Sequence, residues 1–290
     1  MLTPHPAAIA VILGSAFEAD IAGLELSSQE LQTPWGQQQI FAVKQLDRPA
    51  YLLFRHGLPH QLLPNQINYR AQAWALSQLG VRSLLVTSSV GVMTDRLPLN
   101  QPLLLSDILM PDNRLPDGSA CSLFTQPTPG QGHLVLDEGL CSRALNAQLT
   151  ELARSEGVTL GGEAVFAYVG GPRTKTAAEN RFWALAGAQV NAMTLAPEMV
   201  LANELGIATS GLVVGHKYSL PNSPDPMSQQ NREQQNLDQH SIAQSLVDSR
   251  QAMESIIRAF VQKGMEVPFA NHLFQFDYPH DANHPHEAKT

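Results

Sequence analysis

Cysteine, charge and aromatic rings are all scarce in this chain of 290 residues, and each scarcity narrows what the protein can be. Cys121 and Cys141 are the only cysteines, too few for a disulfide framework or a structural zinc cluster. A reduced, cytoplasmic protein with no metal is expected, with a single bridge as the open alternative. Lys and Arg number 18 against 26 Asp and Glu, and the net charge of −8 excludes the broad basic face that nucleic acid requires. Any anion site must therefore be local. No apolar run approaches the roughly 20 residues of a membrane helix. The run AAIAVILGSA lacks the basic flank of a secretory signal and ends in Gly-Ser, as a buried first strand does. A soluble protein without membrane or nucleic-acid partners is the expectation.

What is present is apolar. Hydrophobic residues make up 43% and charged ones only 15%, which indicates a large core. No internal repeat and no clear boundary divides the chain, so one domain over residues 1–270 is expected. Residues 271–290 read as a flexible tail, whose histidines are too irregularly spaced among Pro, Asp and Asn to suggest a metal site. Apolar runs at 8–13, 83–87, 162–169, 190–193 and 207–214 read as strands, with helices between them. Thr176 and Glu179 have capping-box spacing, so a helix is predicted to start there and to end at Gly187.

The stretch from Phe54 to Met93 carries the chemistry. Arg55 and His56 stand together at a strand end, where a guanidinium fork matches phosphate oxygens and an imidazole adds a donor or a proton. A helix follows, with Ile67, Ala71, Trp74, Ala75 and Leu79 on one face and Gly80 as its C-cap. The next strand empties into Ser88-Ser89-Val90-Gly91, a turn whose hydroxyls and free N–H groups suit an anion at the carboxyl edge of a sheet. An oxyanion site is the first reading. A solvated basic pair beside a turn is the alternative for Arg55 and His56 taken alone.

The block RHGLPHQLLPNQINYRAQAWAL resembles the trimeric purine nucleoside phosphorylases, the methylthioadenosine phosphorylase branch most closely. The run Asn-Ala-Met-Thr-Leu-Ala-Pro-Glu from Asn191 to Glu198 is similar to that family's Met-[Ser or Thr]-x-x-Pro-Glu. The resemblance implies a single α/β domain with a central mixed sheet flanked by helices, a site at strand carboxyl ends, and a homotrimer. It implies phosphorolysis of purine nucleosides, with inorganic phosphate as co-substrate and no cofactor. Phosphate would be held by Ser15, Arg55, His56, Ser88, Ser89 and Thr194. Tyr69, Met193 and, on a looser alignment, His240 would bind ribose, and Thr174, Lys175 and His216 the base. For Ser15 the plain alternative is an N-cap; for Met193 and Thr194 it is core packing and a cap.

The base positions depart from the family. Thr174 stands where an aromatic lies under the base. Lys175 replaces the glutamate of 6-oxopurine enzymes or the serine of methylthioadenosine enzymes, and His216 replaces an asparagine or aspartate. A neutral His216 donating to purine N7, with Lys175 donating to O6, favours a 6-oxopurine over a 6-aminopurine. His216, with Arg55 and His56, would then carry the reaction. Arg55→Ala is expected to abolish phosphate use and leave the fold intact. A methylthioadenosine phosphorylase, a nucleoside-binding homologue with little turnover, and a hydrolytic nucleosidase stay open. The Pro- and Gln-rich insertion 220–237 reads as a surface loop or a lid.

Overall fold

A computed structural model describes residues 7–128, 130–220 and 239–275. The insertion and most of the expected tail lie outside them. Nine strands form one sheet: β1 (Ala8–Leu13), β2 (Leu26–Thr33), β3 (Gly36–Val43), β4 (Ala50–Phe54), β5 (Val81–Val92), β6 (Pro102–Leu109), β8 (Glu163–Tyr168), β9 (Val190–Ala192) and β10 (Ala208–Tyr218). Their order is β10-β6-β8-β9-β5-β1-β4-β3-β2, and β10 also pairs with β5. That extra pairing closes β5, β9, β8, β6 and β10 into a ring. The sheet is mixed: β1–β4, β1–β5 and β5–β10 run parallel, whereas β5–β9 and β6–β10 run antiparallel.

The alternation of β1 shows why helices cover both faces. Ala8, Ala10 and Ile12 pack toward α1 (Tyr69–Gln78) and α4 (Ala196–Glu204), in one cluster with Ala75, Leu76, Met199 and Ala202. Ile9, Val11 and Leu13 point the other way, toward α2 (Arg143–Ser155) and α5 (Gln239–Lys263), among Leu145, Leu149, Met253, Ile257 and Phe260. A strand with a helix layer on each side must be apolar at every position, and β1 is fully buried throughout. The predicted capping box opens α3 (Ala177–Leu185): Glu179 N donates to Thr176 Oγ1 at 3.2 Å, and Thr176 N donates to the Glu179 carboxylate at 2.7 Å.

Two expectations about segments change. Ser88–Gly91 is not a turn, because β5 runs on to Val92 with β10 alongside it. Part of the expected tail is ordered, since β11 (His272–Gln275) pairs antiparallel with β7 (Gly132–Val135). Among the described residues, no helix is long and apolar enough to cross a membrane.

Candidate active site

The sheet makes the site by leaving one side of β5 unpaired. β1 pairs with β5 only as far as Val86, and β9 takes up the same side at Gly91. Between them, residues 87–90 have a strand partner only in β10. The carboxyl ends of β1, β4 and β9 all open onto this gap, and a cavity of about 690 Å³ fills it. Ser15, Arg55, His56, Ser88, Ser89, Thr174, Lys175, Met193, Thr194 and His216 all line that cavity. Gly14 is needed for its close approach: a Cβ there would come within 3.3 Å of both an Arg55 Nη1 and the Thr87 carbonyl.

Two candidates are placed differently. Tyr69 is 1% exposed, lies with Leu115, Leu123 and Leu201, and does not line the cavity. Its hydroxyl donates to the Pro64 carbonyl at 3.2 Å, so it braces a lining residue from behind instead of bracketing a sugar. His240 lies inside α5 and not ahead of it, and its side chain is outside the described residues.

Arg55 is more constrained than a free anion ligand. It is 1% exposed; its Nε donates to Glu198, equally buried at the first turn of α4, and its Nη1 donates to the Thr87 carbonyl at 2.9 Å. Among the described residues, Nη2 has no partner, and neither does the second oxygen of Glu198. Three N–H donors of the guanidinium remain, and Arg55 lines the cavity. Arg55→Ala would strand this buried carboxylate, so a loss of stability is expected alongside the loss of phosphate use. Glu198 was missed as a functional residue although it ends the Pro-Glu motif. Thr194 is positioned by Leu195, a fully buried residue at φ 81°, ψ −51°, the rare positive-φ γ-turn geometry that stores strain beside binding sites.

The histidines are set by their partners. His56 Nδ1 lies 2.8 Å from the Leu62 carbonyl, which can only accept, so Nδ1 carries the hydrogen and Nε2 is left for the cavity. Burial pushes its pKa down to about 4; Arg55 and His60 add to the shift, and the Leu62 hydrogen bond opposes it. The His60 ring, 4.5 Å from that of His56, also lines the cavity. His216 is the extra residue of a bulge, since Gly215 pairs with Val90 and Lys217 with Gly91. Gly215 is required there, as a Cβ would overlap the Val92 side chain. His216 Nδ1 meets the Asn100 carboxamide oxygen at 2.9 Å, and burial lowers its pKa. A neutral ring meets this acceptor only in the tautomer that carries its hydrogen on Nδ1.

Further along β5, Gly91 sits in one row between Lys217 on β10 and Asn191 on β9. A Cβ at Gly91 would meet Ser219 Oγ at 3.0 Å and the Asn191 carboxamide oxygen at 3.2 Å, so the missing side chain lets both groups come close. The Oδ1 of Asn191 has no partner among the described residues, and its Nδ2 donates to Asn180 at 3.3 Å. Burial and the neighbouring Lys217 push Lys175 down to about 8, with Glu179 opposing. No carboxylate lines the cavity among the described residues.

One cavity at converging strand ends thus brings hydroxyls, a buried guanidinium and histidines together. The chain belongs to the phosphorylase superfamily, whose sequence model matches residues 8–261. It is 32% identical over 212 residues to a "Probable S-methyl-5'-thioinosine phosphorylase" of Methanopyrus kandleri, spanning 73% of this chain and 78% of that one. With the "6-oxopurine nucleoside phosphorylase" of Pyrococcus furiosus it shares 30% over 216 residues, 72% of this chain and 78% of the relative. Among solved structures, the methylthioadenosine phosphorylase of Schistosoma mansoni in complex with adenine superposes with a TM-score of 0.73. That likeness covers 88% of this chain and 91% of the other at 21% identity, and it speaks to fold alone.

Proposed function

We propose that the chain catalyses phosphate-dependent cleavage of the N-glycosidic bond of purine nucleosides, with 6-oxopurines preferred. The products are the free base and ribose 1-phosphate, with or without a 5′ modification. The observation that carries the reading is the composition of one cavity along β5. Hydroxyls and the free arm of Arg55 gather at the gap, and Lys175 and Lys217 stand farther on with no carboxylate among the lining residues.

In this reading phosphate is the co-substrate and no organic cofactor or metal takes part. Ser15, Ser88, Thr194, the Ser89 backbone and Arg55 Nη2 hold the phosphate beneath the anomeric carbon. Its negative charge stabilises the oxocarbenium-like sugar as the C–N bond breaks, an interaction that strengthens mainly in the transition state. Met193 packs on the ribose. A 6-oxopurine offers its O6 acceptor to the Lys175 ammonium, whereas adenine sets its amine donor against it. A buried donor left unpaired costs about 1–3 kcal/mol, or roughly a tenfold to hundredfold preference. The orphaned Asn191 oxygen is an acceptor within reach of a ring N–H or a 2-amino group.

A second, smaller cavity of about 190 Å³ shares Gly14, Ser88, Ser89 and His216 with the first and is walled by Phe17, Val214 and Met253. Its apolar wall suits an apolar 5′ substituent, which favours a 5′-modified nucleoside as a substrate alongside the plain one. A homotrimer in the cytoplasm completes the reading, and light scattering at micromolar concentration tests the assembly.

Incubating the protein with a panel of purine nucleosides, with and without phosphate, tests the reaction itself. Base released only with phosphate, together with ribose 1-phosphate, supports it. Release indifferent to phosphate would indicate a hydrolase, and tight binding without release a binding protein.

A further inference from the structure

We propose that Asn100 holds the His216 ring so that only its doubly protonated form passes a proton to the departing purine; this rests on the function proposed above. The Asn100 carboxamide oxygen, 2.9 Å from Nδ1, can only accept. A neutral imidazole has one N–H, and here it is committed to Asn100. Nε2 then faces a ligand with a lone pair, acceptor against acceptor with purine N7. Protonated, the ring carries hydrogens on both nitrogens and donates in both directions.

Asn100 is fixed to the same strand end as the ring it holds. Its backbone N–H donates to the Gly215 carbonyl at 2.8 Å, and its φ of 59° lies in the left-handed region that asparagine tolerates. The carboxamide and the bulged histidine therefore keep a common frame. Among the described residues, the charged and titratable groups that share the two cavities with His216 are Arg55, His56, His60, Lys175, Lys217, Tyr218 and Arg250. None is a carboxylate, so bound phosphate is the counter-charge for an imidazolium, and burial alone disfavours it.

The step balances as follows. A phosphate oxygen bonds to the anomeric carbon while the bond to N9 breaks and its electron pair passes into the purine. The Nε2 proton moves to N7, which leaves His216 neutral with its hydrogen on Nδ1, still donated to Asn100. Solvent returns the proton after the products leave.

The test joins a spectrum to a pH profile. Histidine labelled with nitrogen-15 reports which ring nitrogen is protonated, and a His216→Gln variant identifies the signal among the 10 histidines. The neutral wild-type ring should carry its hydrogen on Nδ1, and in Asn100→Ala it should move to Nε2. Wild-type kcat/KM for inosine should fall tenfold per pH unit above the His216 titration. Asn100→Asp, nearly isosteric, should carry that fall upward by about one pH unit or more, because a carboxylate beside the ring favours its cation. Asn100→Ala should flatten the fall, since its ring is free to donate when neutral. A wild-type hydrogen on Nε2, or the same fall in all three proteins, overturns the proposal. If the wild type releases no base with phosphate, the proposed function fails, and the ring spectrum alone then decides whether Asn100 sets the tautomer.

Discussion

Removing one member of the Arg55–Glu198 pair should cost far more than a surface ion pair does, and in a way that phosphate can diagnose. Both side chains are 1% exposed, and each has an atom without a partner among the described residues. Breaking a buried pair from one side typically costs about 3–5 kcal/mol, because the remaining charge is uncompensated. Arg55→Ala should lose that much, and at about 2–4 °C per kcal/mol for a large domain its melting temperature should drop by roughly 6–20 °C. Glu198→Gln should lose a similar amount without phosphate. The two variants part when phosphate is added. In Glu198→Gln the guanidinium is intact, and a bound anion replaces the lost carboxylate; at a hundredfold excess over Kd a ligand stabilises by about 2.7 kcal/mol. In Arg55→Ala the stranded carboxylate repels phosphate and no recovery should appear. Thermal melts of the wild type and both variants across a phosphate series give the answer. Variants within about 0.5 kcal/mol of wild type, or recovery of Arg55→Ala by phosphate, would refute the pairing and the placement of phosphate beside it.

Lys175→Ser should narrow the preference for inosine over adenosine by removing the mismatched donor, read as the ratio of the two kcat/KM values. The same ratio should shrink in the wild type as pH rises through about 8, where Lys175 loses its proton and its amine gains a lone pair for an exocyclic NH₂; a flat ratio from pH 7 to 9 counts against Lys175 at the base. His56 titrates near 4 when folded against about 6.5 when unfolded, so its protonation opposes folding. The stability it contributes is complete above pH 6.5 and is lost as pH falls toward 4, by roughly 3 kcal/mol. Urea unfolding of His56→Gln should lack this part of the acid slope, and an unchanged slope would place His56 in a solvated setting.

Much of the fold was legible because its signals are local. β1 and β10 announce themselves as apolar runs too continuous to face water, and α3 by a capping box with both reciprocal hydrogen bonds in place. Strand ends were harder. A run of Ser-Ser-Val-Gly reads as a turn by composition, yet β5 continues through it because β10 supplies partners from more than a hundred residues away. The phosphate-side residues were legible as residue types that bind oxyanions, and the gap between β1 and β9 brings them together. What the pattern could not reveal were side chains defined by pairing. Glu198 looked like a motif ending until Arg55 met it, and nothing in the sequence pattern joins Asn100 to His216. Tyr69, a ribose contact by resemblance, lies in a core cluster behind the cavity wall, a placement that the motif alone does not reveal.

The most direct measurement offers inosine and adenosine together, at equal concentration with phosphate, and follows hypoxanthine and adenine by chromatography. Under competition the ratio of initial rates equals the ratio of kcat/KM values, so expression level and active fraction cancel. The account predicts that hypoxanthine appears tenfold to hundredfold faster and that neither base appears when phosphate is omitted. Adenine released as fast as hypoxanthine or faster would contradict it.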